Sequence, residues 1–149
     1  MIKLRRTNSD DPDFRPLVAL LDQDLRIRDG EDHAFYAQYN TLDTIKHVVV
    51  AYQKDESVGC GAIKAYDDTT AEVKRMFVLE QQRGQGIASL VLAELEQWAS
   101  ALGYTSCILE TGTKQPEAIA LYRKCGYTVI QNYGQYAGVE NSVCMQKKV

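Results

Sequence analysis

Residues 72–89 form the stretch EVKRMFVLEQQRGQGIAS, in which a strand pattern meets a helix pattern at two glycines. The β-prone residues predict a strand, the polar EQQR segment predicts a turn, and LVLAELEQWASALG continues the stretch as a helix. Such a strand–glycine turn–helix unit presents unpaired backbone N–H groups at the positive end of a helix dipole. It therefore predicts a binding site for a phosphate or a diphosphate.

The rest of the chain predicts a mixed α/β fold around this unit. Strands are predicted at residues 2–6, 45–52, 58–66, 71–78, 105–110, 127–130 and 143–147. Helices are predicted at residues 12–27, 86–102 and 116–124, with a weaker one at 32–39. The order β-α-α-β-β-β-α-β-α-β-β describes one domain, residues 1–149, with about seven strands and four helices.

The composition disfavours several classes of protein. The 149 residues are 45% hydrophobic and 25% charged, which is typical of a globular domain with a sizeable core. A net charge of −3 disfavours wholesale binding to nucleic acid, which normally needs a basic surface. The apolar runs are far shorter than the roughly 20 residues of a membrane helix, and the N-terminus lacks the apolar segment of a signal peptide. We therefore expect a cytosolic, cytoplasmic protein without a membrane partner.

The four cysteines, Cys60, Cys107, Cys125 and Cys144, lie within or beside apolar segments and form no C-x-x-C pair. A zinc site favours closely spaced thiolates with histidine partners, and both histidines are distant from any cysteine in the sequence. We therefore predict buried, reduced cysteines and no metal. A catalytic cysteine stays an alternative, although no nearby base supports one.

Two motifs resemble those of the GNAT superfamily of acetyl-CoA-dependent N-acyltransferases. The segment RGQGIA, residues 83–88, matches the family's Q/R-x-x-G-x-G/A diphosphate motif at every defined position. Further on, QPEAIALYRKCGY, residues 115–127, is similar to N-x-x-A-I-x-L-Y-x-x-x-G-F/Y and departs from it at Gln115. The resemblance covers the chain from about Val48 to its end, and it implies a GNAT-like, mostly antiparallel mixed sheet flanked by helices.

A dinucleotide or nucleotide site competes for the same glycines. The dinucleotide fingerprint G-x-G-x-x-G needs a third glycine where this chain has Ser89, and a Walker A loop needs G-K-[ST], which the turn lacks. Both departures disfavour a nucleotide site, and the family resemblance implies acetyl-CoA as the co-substrate.

The resemblance implies contacts to acetyl-CoA from two places. Backbone N–H groups of the glycine turn would hold the diphosphate, and Arg83 would add a charge-assisted contact. The residues of that turn are Arg83, Gly84, Gln85, Gly86, Ile87, Ala88 and Ser89. The preceding strand would part from its neighbour, carry a β-bulge and expose main-chain groups of Met76, Phe77 and Val78 to the pantetheine arm. Gln115 and Tyr122 complete the set. The alternative interpretations are that Arg83 is a solvated surface arginine and that the strand belongs to the ordinary core of the protein.

Attack on a thioester requires a neutral amine, and an unperturbed lysine-like amine is uncharged at pH 7 in only roughly a few parts in ten thousand. A general base is therefore useful, and similar enzymes place it either at the position of Glu72 or at that of Glu110. Strand alternation puts Glu72, Lys74 and Met76 on one face unless a bulge intervenes. For both glutamates, the alternative is a surface position or an ion pair with a basic neighbour.

Tyr122 lies in the A-I-x-L-Y part of the second motif, and the resemblance implies that it protonates the departing CoA thiolate. The reference pKa values of a thiol and a phenol, near 8.5 and 10, make this transfer feasible in a partly desolvated site. The alternative is an amphipathic core tyrosine on one helical stripe with Ala118 and Leu121.

The acceptor is predicted only as an amine. In similar proteins its pocket is built by the early helices and by the loop before the last strand. Here these segments contain Asp22, Asp24, Asp29, Glu31 and Asp32, and then Asn132, Tyr133, Gln135, Tyr136 and Asn141. Acidic residues suit a cationic amine, and tyrosines suit pocket walls. Two functions stay open, an N-acetyltransferase acting on a small molecule or protein and a CoA-binding module that senses acyl-CoA without turnover. A homodimer is a possible assembly, since similar proteins often form one.

Overall fold

The computed structural model describes residues 1–30 and 45–149, and the helix predicted at residues 32–39 lies outside them. A seven-stranded sheet has the order β1-β2-β3-β4-β5-β7-β6. Its strands are β1 (Ile2–Thr7), β2 (His47–Gln53), β3 (Glu56–Ala65), β4 (Thr70–Val78), β5 (Ser106–Gly112), β6 (Thr128–Ile130) and β7 (Ser142–Lys148). The described helices are α1 (Phe14–Asp29), α2 (Ile87–Ala101) and α3 (Pro116–Lys124). The predicted mixed α/β class is confirmed, with three described α-helices against about four predicted.

The hairpin between β2 and β3 is tighter than the sequence indicates. Its turn consists of Lys54 and Asp55, whose φ angles are 50° and 67°. Two consecutive residues with positive φ give a turn whose twist matches that of antiparallel strands. The strands therefore extend to Gln53 and from Glu56, into the KDES segment that predicts a longer turn.

The strands β4 and β5 form the parallel pair of the described sheet, and they pair over a short distance. Thr70 to Glu72 partner Ser106 to Ile108, and the ladder ends there. Since β4 continues to Val78 and β5 to Gly112, the two strands part beyond Glu72. The predicted parting is therefore present, and it leaves main-chain groups facing a gap in the middle of the sheet, where a ligand can pair with them.

A β-bulge interrupts β4 at Arg75 and Met76, which together face the single residue Gly61 of β3. The flanking pairs are Cys60 with Phe77 and Ala62 with Lys74. Arg75 has a φ of 61°, a left-handed conformation that is uncommon for a residue with a side chain. The extra residue shifts the side-chain period of the strand by one position.

Because of the bulge, Glu72 and Met76 lie on opposite faces of the sheet. Met76 and Val78 pack against α2, whereas Phe77 belongs to the core cluster formed with α1. Glu72 lines a cavity together with Leu21 of α1. Beyond Lys74, the side chains of β4 therefore lie on the faces opposite to those that an uninterrupted strand would give them.

The sheet is covered by α1 on one face and by α2 on the other. Phe14, Leu17 and Val18 of α1 pack on β2 and β3, and α2 buries Ile87, Val91, Leu92, Leu95 and Ala99. Leu90 and Leu102 are each 45% exposed, whereas Leu92 and Ala99 belong to the core cluster on this face. No described α-helix is long and apolar enough to span a membrane.

Candidate active site

The gap beside β4 widens, on the side of the glycine turn, into a cleft of about 400 Å³. Most of the residues predicted to contact acetyl-CoA line this cleft: Met76, Phe77, Val78, Arg83, Gly84, Gly86, Ile87, Ala88, Ser89, Gln115 and Tyr122. Gln85 is the exception within the described turn, because its amide donates a hydrogen bond to the side chain of Gln82 at 3.2 Å. The structure thus brings both sequence motifs to one cleft, while the contacts to a ligand stay a prediction.

The glycine turn holds two residues in the left-handed region, Gly84 at φ 82° and Gly86 at φ 80°. A Cβ added at either position would meet no atom within 4 Å, so the backbone conformation, rather than packing, requires glycine. Gly86 is the N-cap of α2, and no described side chain caps this end. The first intrahelical bond runs from the N–H of Leu90 to the carbonyl of Gly86 at 3.1 Å. The preceding N–H groups are therefore available to an anion.

Arg83 is held at the edge of this cleft by three contacts. Its Nε donates to the carbonyl oxygen of Val78 at 2.9 Å, and its guanidinium lies 5.5 Å from the centre of the Phe77 ring. One terminal nitrogen lies 3.8 Å from Oδ2 of Asp24 on α1. The side chain keeps 39% exposure, so its outer nitrogens stay within reach of a phosphate.

A smaller cavity of about 130 Å³ adjoins the cleft. Its lining includes all three candidate catalytic residues, Glu72, Glu110 and Tyr122. Five residues line both spaces, so the cavities meet at their side chains: Leu21, Met76, Gln115, Ala118 and Tyr122. A phenol therefore lies at the junction between the glycine-turn cleft and a pocket that contains two carboxylates.

Tyr122 is a buried residue that also lines both spaces. Its ring packs edge-on to that of Tyr127, with 5.9 Å between the ring centres. Burial raises the pKa of Tyr122 above the ordinary tyrosine value, and electrostatic interactions with Cys125 and Glu110 add to this effect. The phenol therefore keeps its proton at neutral pH and can donate it. Its core packing and a proton-donor role are compatible.

Glu72 is engaged by two neighbours. The hydroxyl of Tyr133, in the loop between β6 and β7, donates to Oε2 of Glu72 at 2.7 Å. Nζ of Lys74 lies 3.9 Å from Oε1, which is the ion pair that the alternative interpretation predicts. Burial raises the pKa of Tyr133, and the charge of Glu72 adds to the shift, so the phenol stays the donor in this bond.

Glu110 acts electrostatically on two phenols of the pocket. Its negative charge contributes to the raised pKa of Tyr122, for which burial is the main cause. For Tyr136, which also lines the small cavity, burial is the main cause of the raised pKa, followed by Glu110 and then by Glu72. Both carboxylates line the small cavity with Tyr122, and Glu110 is the one whose charge contributes to the raised pKa of that phenol.

The acidic residues predicted near the acceptor lie in different parts of the structure. Asp22 of α1 pairs with the buried guanidinium of Arg75 at 3.2 Å. Asp24 lines the larger cleft rather than the small pocket. Asp29 is the last residue of α1, and Glu31 and Asp32 lie outside the described residues.

In the loop before β7, Asn132 is a structural residue, because its Nδ2 donates to the carbonyls of Val139 and Ser142, both at 3.0 Å. Tyr136 lines the small cavity, and its ring packs edge-on to that of Tyr133. Two contributors to the large cleft, Arg28 and Glu117, were not singled out from the sequence. The only signal for Arg28 is its spacing of four residues from Asp24 on one helix.

The cysteines are free thiols, and all but the half-buried Cys125 are buried. Burial raises the pKa of Cys60 to about 12 and those of Cys107 and Cys144 to about 11. These thiols therefore stay protonated and unreactive at neutral pH. Within residues 1–30 and 45–149, no group of three or more potential ligands could hold a metal ion.

Comparison with known proteins identifies relatives of this architecture. The model of the acetyltransferase (GNAT) family matches residues 11–127. An IAA acetyltransferase of Azospirillum brasilense is 41% identical over 102 residues. That match covers 66% of this chain and 65% of the relative, so the chain spans a little less than two thirds of the relative's length.

Solved structures share the fold over nearly the whole chain. A candidate acyl-CoA N-acyltransferase from Klebsiella pneumoniae superposes with a TM-score of 0.82 at 29% identity, covering 99% of this chain and 97% of its own. A GNAT family acetyltransferase from Elizabethkingia anophelis, solved with acetyl-CoA bound, superposes with a TM-score of 0.71 at 19% identity. This second match covers 99% of this chain and 98% of that one, and at its low identity it supports the fold alone.

Proposed function

The chain belongs to the acetyltransferase (GNAT) family, and from this premise we propose that it transfers the acetyl group of acetyl-CoA to a primary amine of a small molecule or a protein. The observation that carries the proposal is the junction of the two cavities at Tyr122. One space ends in a glycine turn suited to a diphosphate, and the other contains two carboxylates suited to an ammonium group.

The cleft fits acetyl-CoA by its chemistry as well as by its residues. The first-turn N–H groups of α2 and the guanidinium of Arg83 suit phosphates. The parted strand offers main-chain groups at Met76 and Phe77 to the amide groups of a pantetheine arm. Main-chain N–H groups of β4 at the bulge would polarise the carbonyl of the acetyl group.

In the proposed reaction, acetyl-CoA supplies an activated thioester, and the chain moves two protons. Glu110 accepts a proton from the acceptor ammonium, so that the amine nitrogen can form a bond to the acyl carbon. As the carbon–sulfur bond breaks, Tyr122 gives its phenolic proton to the sulfur, and the resulting phenolate takes up the second proton that the nitrogen loses as it becomes an amide. Glu110 is preferred over Glu72 as the base because both protons move at one reacting carbon, and Glu110 is the carboxylate whose charge acts on Tyr122. Both glutamates line the small cavity with that phenol. Glu72, with Tyr133 and Lys74, would shape the acceptor pocket.

The proposal is tested by release of free thiol from acetyl-CoA in the presence of a panel of amines, with mass spectrometry of the products. We expect amine-dependent thiol release and an increase of one acetyl group in the mass of at least one acceptor. The panel should include diamines, amino acids, aminoglycosides and lysine-containing peptides. Tight binding of CoA without thiol release on any amine would contradict the proposal.

Replacing Gly86 by alanine is expected to raise the Kd for CoA about tenfold, measured by calorimetry. Alanine at positive φ costs about 1–2 kcal/mol, and relaxing that strain moves the N–H groups that face the cleft. Gly103→Ala is the matched control, because Gly103 has a φ of 97° and equally open surroundings beyond the other end of α2. The two variants should lose similar Tm, and only Gly86→Ala should lose affinity. Equal affinities for CoA would remove the role assigned to the turn.

A further inference from the structure

We propose that Arg28 of α1 is a second guanidinium that binds the phosphates of the co-substrate, opposite Arg83. This inference rests on the proposed use of acetyl-CoA. Nε of Arg28 lies 3.4 Å from Oδ2 of Asp24, and a terminal nitrogen of Arg83 lies 3.8 Å from the same oxygen. Two guanidinium groups thus flank a single carboxylate oxygen, an arrangement that also suits a phosphate oxygen.

The position of Arg28 is set by α1 and α3. Asp24 and Arg28 are four residues apart, so they lie on the same face of α1, and both line the larger cleft. The other end of the Arg28 guanidinium makes an ion pair with Glu117, in the first turn of α3. The side chain of Arg28 is 25% exposed, so it is held in the wall of the cleft rather than extended into solvent.

The four residues form a chain of alternating charge, Arg83–Asp24–Arg28–Glu117, that links the glycine turn, α1 and α3. Both arginines are paired with carboxylates, and Lys124 adds a third cation to the lining. A bound diphosphate would compete with Asp24 and Glu117 for the same guanidinium nitrogens. The carboxylates would therefore lower the affinity for phosphates while they keep the arginines in place.

Binding of CoA and of pantetheine, which lacks every phosphate, measures this role without any turnover. Arg28→Gln should raise the Kd for CoA about tenfold at low salt and reduce its salt dependence. The ratio of the Kd for pantetheine to the Kd for CoA should fall by a similar factor. Arg26→Gln, an exposed arginine in the same last turn of α1, is the matched control and should keep the wild-type ratio.

Glu117→Gln supplies a test of opposite sign. Removing the competing carboxylate should lower the Kd for CoA about threefold, because Arg28 keeps its charge and loses a rival partner. An unchanged ratio in Arg28→Gln, equal losses for CoA and pantetheine, or weaker CoA binding in Glu117→Gln would each overturn the inference. A wild-type chain that binds CoA in this way and acetylates no amine would contradict the proposed function and leave the role of Arg28 intact.

Discussion

Replacing Tyr122 by phenylalanine is expected to lower kcat about 100-fold and to change the Kd for acetyl-CoA by no more than about twofold. The substitution keeps the ring that packs against Tyr127 and removes only the hydroxyl at the junction of the two cavities. A proton donor to the sulfur acts as the carbon–sulfur bond breaks, so its loss should affect turnover more than binding. Steady-state kinetics at saturating amine, together with calorimetric binding of acetyl-CoA, would separate the two effects.

The matched control is Tyr127→Phe, which removes a neighbouring buried phenol that is not among the lining residues of either cavity. We expect its kcat to stay within about twofold of the wild type. If Tyr122→Phe turned over as fast as Tyr127→Phe, the phenol of Tyr122 would be a packing group and the donor would have to be water.

The pH dependence of turnover should also report the protonation state of Tyr122. Burial and electrostatic interactions with two neighbours raise the pKa of Tyr122, so the donor form is the phenol well above neutral pH. A raised pKa means that the proton is lost at a higher pH than in a free tyrosine, so kcat should not decline up to about pH 9.5 on account of this group. A fall in kcat between pH 7 and 9 that disappears in Tyr122→Phe would contradict the assigned environment.

Features with local signals were predictable from the sequence. Helix α3 begins and ends where the sequence indicates, because Pro116 favours the first helical position and Gly126 follows the end. The glycine turn is equally local, since Gly84 and Gly86 adopt the left-handed conformation that glycine permits. The order of elements along the chain followed from such local signals, and the parting of the strand before the glycine turn followed from the family resemblance.

Features that depend on distant partners were not predictable. The left-handed conformation of Arg75 at the bulge accompanies an ion pair with Asp22, 53 positions earlier. The hydroxyl group that donates a hydrogen bond to Glu72 belongs to Tyr133, 61 positions later in the chain. Strand alternation carries no information about either partner, so it could place Glu72 on a face without showing which groups occupy its carboxylate.

Glu110→Gln is expected to reduce kcat/KM for the amine about 100-fold at pH 7, and Glu72→Gln less than about tenfold. The difference follows from their surroundings, since the charge of Glu110 acts on Tyr122, whereas Glu72 accepts a hydrogen bond from Tyr133. Tyr133→Phe is the control for Glu72, because it keeps the ring contacts with Tyr66 and Tyr136 and removes the donor. If Glu72 acts by holding this loop, the two variants should show similar losses.

The pH profile distinguishes a lost base from a lost contact. Without its base, Glu110→Gln must rely on amine that is already neutral in solution, and that fraction rises about tenfold per pH unit below the pKa of the amine. The deficit of Glu110→Gln should therefore shrink steadily from pH 7 to pH 9, whereas that of Glu72→Gln should stay constant. The reverse pattern would move the base to Glu72. If both deficits stayed constant, neither carboxylate would be the group that removes the proton. A higher pH compensates for a missing base, because more of the amine is already neutral, but it does not compensate for a missing contact.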